Sequence, residues 1–282
     1  MEESVIAEVR SALASHGLRP GAIVTLSPQS FGRKSGRCTF RVEVANGLVI
    51  KARRFESVEE AARLADLRSR VDPSFSPVIA RHGSVLLEPW IDGEPLSSVQ
   101  ADARAAEMGA LLGHLHATDP PGGRAGLSTQ ERRERATRQL ATLADAGVVA
   151  TDLAQTLQVE LLRCDPGAAL QAVVHGDYCP ENLVVDPGGR LHVIDNEWLR
   201  IDAAGVDLGR TYSRWLMSDD VWRRFMGGYR TVAPADPGPL RFWLIVMAVS
   251  GAVVRLQKST AELAVPLTRL RALAAARASS QT

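Results

Sequence analysis

The chain has 282 residues, 45% of them hydrophobic, and a formal net charge of +1. That length can bury the core of one large or two small lobes, and near-neutrality argues against a general nucleic-acid binder, which carries a basic surplus. The three cysteines, Cys38, Cys164 and Cys179, lie far apart with no zinc or disulfide spacing, which fits a reducing cytoplasm.

In chain order, apolar residues at helical spacing predict a short amphipathic helix over 4–15, closed by Gly17 and too mixed in charge for a signal peptide. A strand is expected over 23–26. Residues 27–36, SPQSFGRKSG, read as a polar loop. Side-chain character alternates over 38–44, Asn46-Gly47 is a hairpin signal, and 48–52 is apolar around Lys51. A partly buried lysine is costly unless paired; the plainer alternative is a solvated lysine on an edge strand. A helix over 57–71 has Ser57 as N-cap and Glu60 three residues on, the capping-box spacing. Two further strands, 78–80 and 85–87, lead to Glu88-Pro89-Trp90-Ile91-Asp92-Gly93.

From there the character changes. Residues 98–117, 128–147 and 151–164 are rich in alanine and leucine at helical spacing. His114 and His116 flank Leu115 and so point to different helix faces, which favours structural roles over a shared metal. Further helices are expected over 219–229, 239–258 and 260–276, with Pro266 kinking or restarting the last. The most apolar stretch, 242–254, is shorter than the roughly 20 residues that cross a bilayer, so it reads as a buried helix and no membrane partner is expected.

The stretch that organises the chain is 173–197, VVHGDYCPENLVVDPGGRLHVIDNE. It reads as a loop, a strand, a tight turn at Asp186-Pro187-Gly188-Gly189 and a second strand ending at Asp195 and Glu197. Packed as a hairpin, it would hold Asp177, Asn182 and Asp195 in fixed relation. A carboxylate and an amide oxygen suit magnesium, a hard cation that keeps waters and phosphates around it. A second carboxylate can orient a hydroxyl and accept its proton for in-line attack. An Asp, an Asn five positions on and a strand-borne Asp repeat the protein-kinase catalytic spacing, with Gly176 where protein kinases carry Arg. The plainer alternative is two turn-capping side chains and a strand end. Cys179, inside the loop, is either a reactive thiol or a small filler.

On His175-Gly176-Asp177, Pro180, Asn182 and Asp195-Asn196-Glu197 the chain resembles the aminoglycoside phosphotransferase and choline kinase-like family of small-molecule kinases. The family usually has an aromatic residue where this chain has Asn196. The resemblance implies an α+β, bilobal protein kinase-like fold. An N-terminal antiparallel β-sheet lobe with one main helix (1–92) would bind nucleotide, and a larger, mainly helical C-terminal lobe (93–282) would hold the catalytic and substrate sites. It implies Asp177 as the catalytic Asp, with Asn182 and Asp195 as magnesium ligands. Lys51 would steady the nucleotide phosphates and pair with Glu60, or with Glu59, on the next helix. Glu88 and Trp90 would offer backbone groups to the base of ATP, or of GTP in its place. The 27–36 loop would cover the phosphates, with Arg33, Lys34 or Ser35 assisting; an ordinary hairpin loop explains that stretch equally well. Asp207 would support the catalytic loop, or is simply a first-turn helix acid.

Beyond residue 198, twelve Lys and Arg face six Asp and Glu, so a neutral or anionic hydroxyl compound is at least as well suited as a polycationic aminoglycoside. Trp198, Tyr212, Trp215, Trp222, Tyr229 and Trp243 can stack on a ring or simply fill the core. The expected activity is ATP- and magnesium-dependent phosphorylation of a hydroxyl on a small molecule. The alternative is a nucleotide-binding sensor without transfer activity. A protein kinase is disfavoured, because no APE-like segment or activation loop is recognisable.

Overall fold

The computed structural model describes residues 2–26, 37–45, 47–120, 126–233, 237–258 and 263–278. Its contacts divide the chain into two units. Unit 1 comprises Met1–Pro95 with Leu183–Glu197, and unit 2 comprises Leu96–Asn182 with Trp198–Thr282.

Unit 1 is built on five antiparallel strands, β1 (Pro20–Leu26), β2 (Cys38–Val44), β3 (Val49–Arg54), β4 (Ala80–His82) and β5 (Val85–Pro89), in the order β1-β2-β3-β5-β4. The period of two along β2 sends Phe40, Val42 and Val44 to one face. There they pack with Ile50, Ala52, Val85 and Leu87 against Val5, Val9, Ala12 and Leu13 of helix α1 (Glu2–Ser15). Helix α2 (Val58–Arg68) starts where Ser57 accepts a hydrogen bond from the Glu60 N–H, and it buries Ala61, Leu64, Leu67 and Arg68 at helical spacing.

A smaller sheet, β6 (Glu94–Pro95), β8 (Leu183–Val185) and β9 (Leu191–Val193), also belongs to unit 1. The β8–β9 hairpin closes through Asp186, whose N–H donates to the Arg190 carbonyl and whose carboxylate accepts from the Arg190 N–H. The division expected after residue 92 therefore needs correction at two points. It falls after Pro95, and the 183–197 hairpin groups with the sheet unit rather than the helical one. The reason is pairing: β6 bonds to β8, Ser76 Oγ donates to the Val193 carbonyl, and Asn196 Nδ2 donates to the Phe75 carbonyl.

Unit 2 is mostly helical. The single helix expected over 98–117 is broken at Arg104 into α3 (Ser98–Ala103), opened by a Ser97/Gln100 capping box, and α4 (Ala105–Ala117). Helices α5 (Thr129–Asp145) and α6 (Thr151–Arg163) follow. A two-stranded ladder, β7 (Gln171–Val174) with β10 (Arg200–Ala203), precedes α7 (Gly205–Arg214), α8 (Asp219–Val232), α9 (Leu240–Leu256) and α10 (Ala264–Ala278). Helices α4 and α8 cross closely at Gly228, where a Cβ would strike the Ala106 carbonyl. The apolar α9 is buried as its composition predicts: Phe242, Trp243, Ile245 and Val249 pack with Leu140 of α5, Leu157 of α6 and Leu270 of α10. Among the described residues no helix is long and apolar enough to cross a membrane.

Candidate active site

The Asp177 loop in unit 2 leaves β7 and is pinned through its backbone amides. Asp207, the third residue of α7 and fully buried, accepts from the N–H of His175 and the N–H of Gly176, each at 2.7 Å. His116 of α4 approaches the same carboxylate through Nε2 at 3.2 Å and bonds the Tyr229 hydroxyl of α8 through Nδ1. Burial alone would raise the Asp207 carboxyl, but the His116 contact and the loop amides hold it below its ordinary value. The Tyr178 hydroxyl donates to the Met108 carbonyl, and Thr211 Oγ1 donates to the Tyr178 carbonyl. Helices α4 and α7 thus hold His175, Gly176 and Tyr178 of the loop. Gly176 has φ +83, and a Cβ there would meet Arg200 and Trp198, so both backbone and space require glycine.

Asn182 closes the loop. Its Nδ2 donates to the Asp177 carbonyl at 2.8 Å, which leaves Oδ1 as the amide atom suited to a cation. Cys179 is buried, and its thiol is pushed well above the ordinary range by burial and then by Asp177, so it is a filler rather than a nucleophile. The Asp177 carboxylate meets two guanidiniums on one face of α7: Arg210 Nε at 3.0 Å and Arg214 Nη1 at 3.2 Å. Burial would lower the Arg214 pKa, yet Asp177 raises it.

A cavity of about 170 Å³ opens in unit 2 beside this loop. Its wall includes Gly176, Arg132, Arg135, Arg200, Arg210 and Ser250 and, among the described residues, no carboxylate. A second cavity, of about 510 Å³, shares Arg132, Arg135 and Arg200 and adds Glu131 and Asp202. Of the candidate stacking residues, Trp215, Tyr229 and Trp243 are buried in the core, and Trp222 stacks on Phe225. Trp198 is exposed.

Unit 1 carries a chain of alternating charges. Arg53, buried on β3, bonds Glu197 through Nη1 and Asp195 through Nη2, the latter at 2.9 Å. Lys51 Nζ lies 3.9 Å from the same Asp195 oxygen. Beyond Lys51 stands Glu88, itself bonded by Arg68 of α2 at 2.6 Å. Burial, and then Arg53, lowers the Lys51 pKa to about 8 against the opposing pull of Glu88 and Asp195. Asp195 adopts φ +62, a left-handed conformation uncommon for a residue with a side chain and a mark of functional sites.

These contacts correct two expectations. Glu60 does not pair with Lys51, because Arg37 bonds its carboxylate; Glu59 lies near Ser57. The carboxylates beside Lys51 are instead Glu88 of β5 and Asp195, two residues past β9, and neither could be read from helix spacing. Trp90 does not offer its N–H, which donates to the Val49 carbonyl and extends the β3–β5 ladder. Glu88 faces Lys51 across that ladder with its carboxylate buried. Ser35, Arg33 and Lys34 lie outside the described residues. Asn196, in the place of an aromatic residue, is buried and donates to the carbonyls of Phe75 and Val193, so a hydrogen-bonded amide fills that position.

Among the described residues no group of three or more His, Cys, Asp or Glu side chains is set to hold a metal ion. Taken unit by unit, the Asn182 amide oxygen of unit 2 and the half-exposed Asp195 carboxylate of unit 1 are each a donor type that suits magnesium, which takes most of its ligands from water and phosphate. The sequence reading missed the roles of Arg210, Arg214, Arg53 and Arg68. The only signal for the first two was their fall with Asp207 on one helical stripe.

A comparison with curated proteins finds no match. Among solved structures, the chain is similar to a macrolide 2′-phosphotransferase from Brachybacterium faecium, at 17% identity and TM-score 0.62, covering 93% of this chain and 95% of that one. It is also similar to the choline kinase LicA from Streptococcus pneumoniae, at 14% identity and TM-score 0.64, covering 99% of each chain. A complex of LicA with AMP matches at 14% identity and TM-score 0.62, covering 98% of each chain. These likenesses show the fold. Residues 38–243, most of the chain, match the family described as the phosphotransferase enzyme family. The protein therefore belongs to that phosphotransferase family.

Proposed function

We propose that the protein transfers the terminal phosphoryl group of ATP, or of GTP in its place, to a hydroxyl of a small molecule with magnesium as the metal. The observation that carries this reading is the Asp177 loop, whose amides are held by buried Asp207 and whose end is fixed by Asn182. A loop so constrained gives a carboxylate a set position, and phosphoryl transfer depends on position and charge more than on covalent help.

In this reading Asp177 accepts a hydrogen bond from the acceptor hydroxyl. It takes that proton as the oxygen bonds to phosphorus and the bond to the nucleoside diphosphate breaks. Asn182 Oδ1 and Asp195 would hold magnesium, which would supply charge neutralisation at the phosphates. Lys51 binds phosphate oxygens in its protonated form. Glu88 and Arg68 keep it aligned, and Arg53, itself bonded to Glu197, holds Asp195. The Trp90 carbonyl and the Glu88 main chain are the groups offered to the nucleotide base. Family membership and the AMP complex of a similar kinase support a nucleotide donor. The free cysteines suit the cytoplasm.

The test is a metabolite screen with ATP labelled in its terminal phosphate, run with and without magnesium. A labelled small molecule that forms only with magnesium supports the reading. Tight nucleotide binding with no labelled product from any extract would favour a sensor instead.

A further inference from the structure

We propose that the acceptor carries an anionic group, a phosphate or a carboxylate, which docks on the guanidiniums of the cavity beside Asp177. This rests on Asp177 as the base and names the class of compound that it serves. Among the described residues, Arg132, Arg135, Arg200 and Arg210 line the cavity, and no carboxylate does.

The carboxylates that reach these arginines are shared. Asp202 serves both Arg132 and Arg200, and Asp177 serves both Arg210 and Arg214. Glu131 borders only the adjoining cavity and caps α5 through Ser128. Arg135 is exposed and makes no hydrogen bond or ion pair among the described residues. Guanidinium charge therefore remains in excess, in the planar forks that match phosphate and carboxylate oxygens. A polycation would be repelled there.

Arg210 links the cavity to the chemistry, because it lines the wall and also bonds Asp177 at 3.0 Å. An anion on its outer N–H groups would lie about two hydrogen bonds from the base, roughly 5–7 Å. A hydroxyl a few bonds along the same molecule then reaches Asp177. The volume of about 170 Å³ suits a small anionic head and a short carbon chain.

The test is direct binding to the full chain at fixed ionic strength, without nucleotide, of four compounds with one carbon skeleton. Glycerol 3-phosphate and glycerate carry the two anions, glycerol is neutral, and 3-amino-1,2-propanediol is cationic. The expectation is that the anions bind and the other two do not; the stronger anion assigns phosphate or carboxylate. Arg135→Gln weakens anion binding by roughly tenfold. Arg135→Glu removes it, at an exposed position where folding is not at stake.

Equal binding of all four compounds overturns the proposal, as does anion binding unmoved by Arg135→Glu. The two claims separate cleanly. Loss of anion binding with efficient phosphorylation of a neutral alcohol sinks the anionic acceptor alone. Anion binding sensitive to Arg135→Glu, in a protein whose Asp177→Asn variant still phosphorylates at full rate, upholds the anion site and removes Asp177 as the base.

Discussion

Asp207→Asn tests how the catalytic loop is held. The buried carboxylate accepts from two loop amides at 2.7 Å and meets buried His116 at 3.2 Å. An asparagine keeps one acceptor oxygen and turns the other into a donor, which then faces a buried N–H donor. Losing one charge-assisted bond costs about 1.5–3 kcal/mol, and the unsatisfied partner adds about 1–3 kcal/mol. The variant should lose about 3–5 kcal/mol, seen as a fall in Tm of roughly 10 °C. Its turnover should fall about a hundredfold even in the folded fraction, because a displaced loop misplaces Asp177. The charge also sets a pH dependence. A carboxyl held below its ordinary pKa contributes stability that is present above about pH 4 and is lost as pH falls through its lowered value. Urea unfolding of wild type and variant from pH 7 down to pH 3 measures this, and the gap between them should shrink in acid. A variant within 1 kcal/mol of wild type at pH 7, with normal turnover, would refute the reasoning.

Lys51 sits near pKa 8 in the free protein, and phosphate oxygens favour its charged form, so nucleotide binding should take up a proton. Affinity for magnesium-ATP should fall by up to about tenfold per unit above pH 8, and Lys51→Met should flatten that slope in a titration series. The same lowered pKa means that the unfolded chain binds more protons between about pH 8 and 10.5, so stability of the wild type should rise across that window relative to Lys51→Met. Gly176→Ala places a Cβ against Arg200 and Trp198 at φ +83, and should cost several kcal/mol in unfolding experiments while removing turnover. Arg68→Met strands buried Glu88 without its partner at 2.6 Å and should destabilise by about 3–5 kcal/mol; the double variant Arg68→Met with Glu88→Met should recover most of that loss.

Local chemistry made much of the fold readable. Ser57 precedes its helix as the expected N-cap, and the alternation of Phe40, Val42 and Val44 marks the buried face of β2. The β8–β9 hairpin was legible because Asp186 to Gly189 turns the chain between two apolar runs. What stayed hidden depends on partners distant in sequence. The β7–β10 ladder joins residues about thirty positions apart, and nothing near Arg200 announces a strand. Helix spacing suggested Glu60 for Lys51, but Arg37 takes Glu60 and the sheet register puts Glu88 opposite Lys51. Arg210 and Arg214 look like any solvated helix face until Asp177 is seen between them.

The central claim is that Asp177 acts on the hydroxyl and not on the nucleotide. Single-turnover transfer by Asp177→Asn, with magnesium-ATP affinity measured on the same sample, separates the two. The account predicts transfer slowed by at least about a hundredfold with nucleotide affinity unchanged, since removing a positioned base costs that much. Transfer at the wild-type rate, or a loss explained wholly by weaker nucleotide binding, would contradict it.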